Sequence, residues 1–318
     1  MPAWLRPSFV PAARLAPGAA CALVGALALA GCARSPRMDT SGESTAAAPR
    51  PAASTVQSGA QGGAQSSGGL PADAATARAR LERSPRHGEW AMVRSGGDSV
   101  RAWVVYPERA TKAPVVLVVH EIFGLSTWVR AVADQLAADG FIAIAPDLLT
   151  GKAVPGAPDS LDVQAAVAQI RQLPPDEVQR RLAAVAEYGM ALPAAERRYG
   201  IVGFCWGGST VFGHVAFAPG LGAGVAYYGG VDPKQVPLAR AKAPVLALYG
   251  ENDARVNATI PAADSALRQA GVPFEYAVYQ GAGHGFLRQQ DGQGGANLAA
   301  SRQAWPRTLA WFRRHLER

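Results

Sequence analysis

Four polar residues stand where they could act together on a carbonyl group. Cys205 lies in Gly203-Phe-Cys-Trp-Gly-Gly208, after a strand-like run, Tyr199-Gly-Ile-Val-Gly203, and before a helix-like stretch, Gly207 to Phe217. So sharp a strand-to-helix turn needs glycines, because a Cβ at those places would strike backbone. It also sets the sulfur at a helix N-terminus, where the dipole favours the nucleophilic thiolate. His284 lies in Gly281-Ala-Gly-His-Gly-Phe286, after a strand pattern ending at Tyr279. An imidazole between glycines on a loop suits a general base better than a packed core position. Asp253, in Gly250-Glu-Asn-Asp-Ala-Arg-Val256, follows a strand pattern ending at Tyr249. It can accept from the second ring nitrogen and fix the tautomer, with Glu251 as the rival acid. The fourth is Glu121, in His120-Glu-Ile-Phe-Gly124. That stretch opens like a zinc-binding helix motif, but Gly124 stands where a second His is required and the stretch begins at a strand end, so it is not read as a metal site. On spacing alone Glu121 is either a site carboxylate or a solvated loop residue.

The elements that must position these residues alternate. Trp90 to Arg94 and Val100 to Tyr106 fit two antiparallel strands. Pro114-Val-Val-Leu-Val-Val-His120 is a β-branched run suited to a strand buried on both faces. Strand patterns follow at Phe141–Pro146, Tyr199–Gly203, Gly224–Tyr228, Pro244–Tyr249 and Phe274–Tyr279. Helical patterns fall at Trp128–Ala138, Leu161–Arg171, Asp176–Ala191, Gly207–Phe217, Ile260–Ala270 and Ala296–Leu316. This alternation predicts an α/β fold with a mainly parallel central sheet and helices on both faces. Ligands of such sheets sit at the carboxyl ends of the strands, where all four residues fall. Trp305, Trp311 and Phe312 read as core anchors of the last helix, and Gln290 to Gly295 as a loop.

The chain order Cys, Asp, His is the nucleophile–acid–histidine order of α/β-hydrolases. In that topology the loop after the third strand supplies one oxyanion donor and the residue after the nucleophile the other. The donors would then be the Ile122 and Trp206 backbone N–H groups. With His120-Glu-Ile-Phe-Gly124, Pro146-Asp-Leu148, Gly203-Phe-Cys-Trp-Gly-Gly208, Tyr227-Tyr-Gly229, the Asp253 loop and Gly281-Ala-Gly-His284, the sequence from about Trp90 onward resembles the dienelactone hydrolase family. The resemblance implies an α/β-hydrolase fold and an enzyme that cleaves esters or lactones through a Cys205–His284–Asp253 triad and a thioester. It implies Glu121 as a carboxylate that touches the resting thiol and releases it when substrate arrives. It also implies Arg288, four residues beyond His284, as a ligand for the substrate carboxylate. A second family arginine has no secure match among Arg171, Arg180 and Arg181. The alternatives are a general carboxylesterase or thioesterase on neutral acyl substrates, and a non-catalytic envelope lipoprotein.

The N-terminal third reads as an address and a tether. Arg6 and Arg14 precede an apolar run, Leu15 to Gly31, and the ending Leu29-Ala-Gly-Cys32 resembles the bacterial lipobox. That implies cleavage before Cys32, attachment of diacylglycerol to its sulfur, and export to the bacterial envelope with the protein anchored in lipid on the periplasmic side. Cys21 would leave with the signal. Residues 33–89 hold no aromatic side chain and are rich in Ala, Ser, Gly and Gln, the composition of a flexible tether. Its last part, Pro71 to Arg83, could form a short helix. The expected division is residues 1–31 as signal, 32–86 as lipidated Cys and tether, and 87–318 as the hydrolase domain, with a monomer as the expected state.

Composition narrows the classes. Of 318 residues, 49% are hydrophobic and 17% charged, which excludes global disorder, and three cysteines exclude a disulfide scaffold. The formal charge of +7 is concentrated early: nine arginines and four acids precede residue 87, leaving 22 basic and 20 acidic groups in the body. So even a balance argues against nucleic acid as a partner. No pattern calls for a metal, nucleotide or organic cofactor.

Overall fold

The computed structural model describes residues 69–156 and 160–317. The signal segment, Cys32 and the tether through residue 68 lie outside the described residues. The strands are β1 (Gly88–Ser95), β2 (Asp98–Val105), β3 (Ala113–Val119), β4 (Ile142–Pro146), β5 (Ala195–Phe204), β6 (Ala223–Tyr227), β7 (Val245–Gly250) and β8 (Phe274–Tyr279). The helices are α1 (Ala77–Glu82), α2 (Thr127–Ala138), α3 (Val163–Gln172), α4 (Pro175–Ala191), α5 (Trp206–Phe217), α6 (Ala254–Asn257), α7 (Ile260–Gln269) and α8 (Ala296–Leu316). The sheet order is β1-β2-β4-β3-β5-β6-β7-β8. β1 pairs antiparallel with β2 and β2 antiparallel with β4, and every pairing from β4 to β8 is parallel. This is the mainly parallel, helix-covered sheet that the alternation predicts and the resemblance implies.

β3 shows why the sheet carries helices on both faces. All seven of its residues are buried. Ala113, Val115, Leu117 and Val119 join one core with Val178, Leu182 and Val185 of α4, Phe212 of α5 and Leu267 of α7. Val116 and Val118 join the other, with Val129, Val132 and Leu136 of α2 and Trp305, Trp311 and Phe312 of α8. A strand with period-two side chains and no polar face needs two covering layers. The parallel strands all end at one edge, so the residues after β3, β5, β6, β7 and β8 converge there.

Two elements differ from the sequence reading. β5 starts four residues earlier than expected, at Ala195, and α6 is an extra turn of four residues, too short to show a period. The ordered body also begins before residue 87. Leu70, Ala77 and Leu81 pack on the α2–α8 core. Trp128 Nε1 donates to the Ala72 carbonyl at 3.0 Å, Gln290 Nε2 to the Pro71 carbonyl at 2.9 Å, and the Ala74 N–H to the Arg288 carbonyl at 2.9 Å. Three apolar side chains and fixed polar partners offset the ordering entropy here, although the composition resembles the tether. Among the described residues no helix is long and apolar enough to cross a membrane.

Buried Asp134 fastens this segment, accepting from Ser84 Oγ and from Arg86 Nε and Nη2 at 3.0 and 2.6 Å. Asp134→Ala leaves a half-buried guanidinium without its partner. The expected loss is about 1–3 kcal/mol in urea unfolding, with faster tryptic cleavage between residues 78 and 86. Unchanged stability and cleavage would contradict the fastening role.

Candidate active site

Cys205 is the residue between β5 and α5, and its backbone is left-handed, with φ 55° and ψ −116°. A non-glycine residue in such a conformation carries about 1–3 kcal/mol of strain and persists only where its surroundings impose it. Those surroundings are backbone. A Cβ on Gly203 would lie 2.1 Å from the Gly207 carbonyl oxygen, and one on Gly207 would lie 2.5 Å from the Val119 and His120 carbonyl oxygens. The turn is therefore as tight as the glycine spacing implied.

The opposite wall comes from two loops. The Asp253 Oδ2 and His284 Nδ1 atoms are 2.5 Å apart, and Asp253 is buried while the ring is partly open. Glu251, the rival acid, instead accepts from the Gly281 N–H at 2.9 Å and holds the loop that carries the histidine. The His284 ring packs on Tyr228, with centroids 5.0 Å apart. Cys205 and His284 both line one cavity of about 330 Å³, together with Ile122, Trp206, Tyr228, Arg255 and Thr259. They meet as walls of this cavity.

The sulfur faces the backbone N–H groups of Trp206 and Ile122, which favour its thiolate, as does the charge of Arg255. Burial and the nearby Glu121 carboxylate act the other way and prevail, so the resting thiol titrates above its ordinary value. The helix N-terminus alone does not make this sulfur a thiolate. Glu121, 3% exposed, has its Oε2 2.6 Å from Arg288 Nε. Burial pushes its pKa up to about 7, against the opposing pull of the Arg288 charge. Arg288 also lies over the Phe123 ring at 5.0 Å. The carboxylate expected at the thiol and the guanidinium expected for substrate thus hold each other.

The other arginine candidates lie elsewhere. Arg180 donates to the Ser95 carbonyl at 2.7 Å, and Arg181 is buried against Asp98, Glu177 and the Leu148 and Thr150 carbonyls. Arg171 is exposed on α3. The cavity's own cation is Arg255, two residues after Asp253 inside a motif that drew attention only to its acid. Tyr228 is a further cavity residue. Its φ of 38° and its buried hydroxyl, which lacks a partner among the described residues, mark it out, and the doublet Tyr227-Tyr-Gly229 was the available signal. His120 and Glu121 serve different surroundings: His120 is bonded within the core and Glu121 to Arg288.

A cysteine on a tight strand-to-helix turn, an Asp–His pair and converging backbone donors at the carboxyl edge of a mainly parallel sheet place this chain among proteins of the α/β-hydrolase fold. The model of the dienelactone hydrolase family matches residues 100–316, and this chain belongs to that family and is a hydrolase. A relative in Salmonella typhimurium named "Putative carboxymethylenebutenolidase" is 34% identical over 230 residues, covering 69% of this chain and 84% of the relative. The crystal structure of a "Putative Dienelactone Hydrolase" from Klebsiella pneumoniae is 30% identical, covers 71% of this chain and 98% of that one, and superposes with a TM-score of 0.63. A dienelactone hydrolase structure from Anabaena variabilis, 21% identical with a TM-score of 0.56 and covering 73% and 99%, shares the fold.

The buried Glu121 sets a pH dependence of stability. Its folded pKa of about 7 lies above the ordinary 4.5, so the unfolded chain releases this proton first as pH rises. The stabilisation is complete below about pH 4.5 and is lost as pH rises through about 7, a contribution of about 3 kcal/mol. Urea unfolding of Glu121→Gln should lack this decline. A variant whose stability falls with pH as steeply as the wild type would contradict the assignment.

Proposed function

We propose that this hydrolase cleaves esters or lactones through a thioester formed on Cys205. The observation that carries the reading is that His284, 2.5 Å from Asp253, shares one cavity with a cysteine on a strained elbow. Asp253 holds the ring with its proton on Nδ1, which leaves Nε2 as the base. At rest the sulfur lies against the Ile122 and Trp206 N–H groups, the two donors suited to a developing oxyanion. A bound carbonyl oxygen takes those donors, the sulfur turns away from them, and its proton passes to His284. The thiolate then attacks the carbonyl carbon, forming the C–S bond and pushing one electron pair onto oxygen. When that pair returns, the C–O bond breaks and the leaving oxygen takes the proton from His284. Water, deprotonated by the same ring, attacks the thioester; the C–S bond breaks, and the acid and the free thiol are restored.

A buried thiol with a raised pKa suits an activated ester whose leaving group needs little help, such as an enol lactone, better than an amide. The names of relatives point the same way: one in Bradyrhizobium is called a "Probable 2-oxo-3-(5-oxofuran-2-ylidene)propanoate lactonase". A second reading, a carboxylesterase or thioesterase on neutral acyl substrates, is favoured by one observation, that the Arg288 charge is already engaged by Glu121. The leader adds a location to either reading: acylation at Cys32 would hold the hydrolase on the periplasmic side of a bacterial membrane, with lipidation read out by intact mass.

Two kinetic outcomes test the reading. Cys205→Ala should reduce turnover of p-nitrophenyl acetate by at least about 10³-fold; retained turnover would refute the nucleophile. Arg288→Ala should raise KM for carboxylate-bearing lactones about tenfold or more and change that for neutral esters little. An equal effect on both would favour the neutral-substrate reading.

A further inference from the structure

The imidazole of His120 is fully buried, and it touches Trp206 and the Glu121 carbonyl, which begins the peptide unit that carries the Ile122 N–H. Its Nδ1 lies 2.7 Å from the Glu121 carbonyl oxygen, and the Leu148 N–H donates to its Nε2 at 3.3 Å. A carbonyl oxygen can only accept and a backbone N–H can only donate. The ring therefore carries its proton on Nδ1 and is neutral. Burial also lowers its pKa, which keeps it so.

The Glu121 carbonyl and the Ile122 N–H are two ends of one planar peptide unit. Holding the oxygen fixes the direction of the N–H. Donation into the carbonyl also polarises the amide and strengthens its other end as a donor. The face of the same ring lies on the Trp206 indole, with centroids 5.5 Å apart and planes at 21°. Trp206 supplies the second N–H. The His120 carbonyl in turn abuts the elbow at Gly207, where a Cβ would come within 2.5 Å of it.

We propose that His120 is the positioning residue of the oxyanion hole, aiming the Ile122 N–H through the Glu121 carbonyl and backing Trp206 through ring contact. This rests on the reading that these two N–H groups receive the substrate carbonyl oxygen. It assigns to His120 a duty that its place in a truncated zinc-like motif concealed. His120 does not meet the substrate. It acts through a peptide plane.

The test uses the full-length protein, p-nitrophenyl acetate and three variants. The amide nitrogen of Asn can occupy the Nδ1 place, that of Gln reaches instead toward the Nε2 place, and Leu offers neither. His120→Gln and His120→Leu should lower kcat by about 10- to 100-fold, less than the ~10²–10³ for outright loss of an oxyanion donor. KM should stay within about threefold, and His120→Asn should keep kcat within about fivefold of wild type. Full kcat in His120→Gln, or an Asn variant as slow as the Gln variant, would overturn the proposal. Circular dichroism checks folding, and should the Leu variant not fold, the Asn and Gln pair decides. Cys205→Ala run alongside separates the two readings. If it keeps wild-type turnover, the thioester mechanism fails and takes this inference with it. If it is inactive while His120→Gln matches wild type, the inference alone fails.

Discussion

The structure depends on a backbone held where no side chain favours it. Cys205 has a positive φ because β5 must reverse into α5 within one residue, and three glycines let main chain lie on main chain around that reversal. Gly203 packs on the Gly207 peptide, Gly207 on the ends of β3, and Gly208 on the Tyr227 carbonyl oxygen. The strain is local, and the eight-stranded sheet on either side supplies the rigidity that sustains it. The sulfur is thereby raised at the edge where the other loops arrive.

Electrostatics around that sulfur are balanced rather than one-sided. Two N–H groups and Arg255 favour its charge, while burial and Glu121 oppose it, and the opposing side prevails at rest. Arg288 restrains Glu121 in turn, so a ligand that drew Arg288 away would leave the carboxylate more basic beside the thiol. A buried carboxyl group near neutrality and a thiol above its ordinary value form a site that stays quiet until its contacts change.

The sheet and the turns that carry the candidate site residues were legible because their signals are local. Unbroken valine runs mark strands buried on both faces, and glycines around Cys205 and His284 mark turns that admit no Cβ. The sequence reading prefers Asp253 to Glu251, and in three dimensions one carboxylate meets the ring while the other meets the Gly281 N–H. The pairing of Glu121 with Arg288 was hidden because it joins residues 167 positions apart that each had another expected partner. Arg255 and Tyr228 were hidden because neither type is diagnostic without a cavity around it. The segment 69–86 resembles the tether in composition, and only its contacts with Trp128, Asp134 and Gln290 distinguish it.

The central claim is a covalent acyl group on one sulfur. It is tested most directly by acid-quenching the protein within its first turnovers of an activated aryl ester, then measuring intact mass and mapping the modified peptide. The account predicts a mass increase equal to one acyl group, located on Cys205 and released by hydroxylamine. Steady turnover with no such adduct on Cys205, or with the acyl group on another residue, would contradict it.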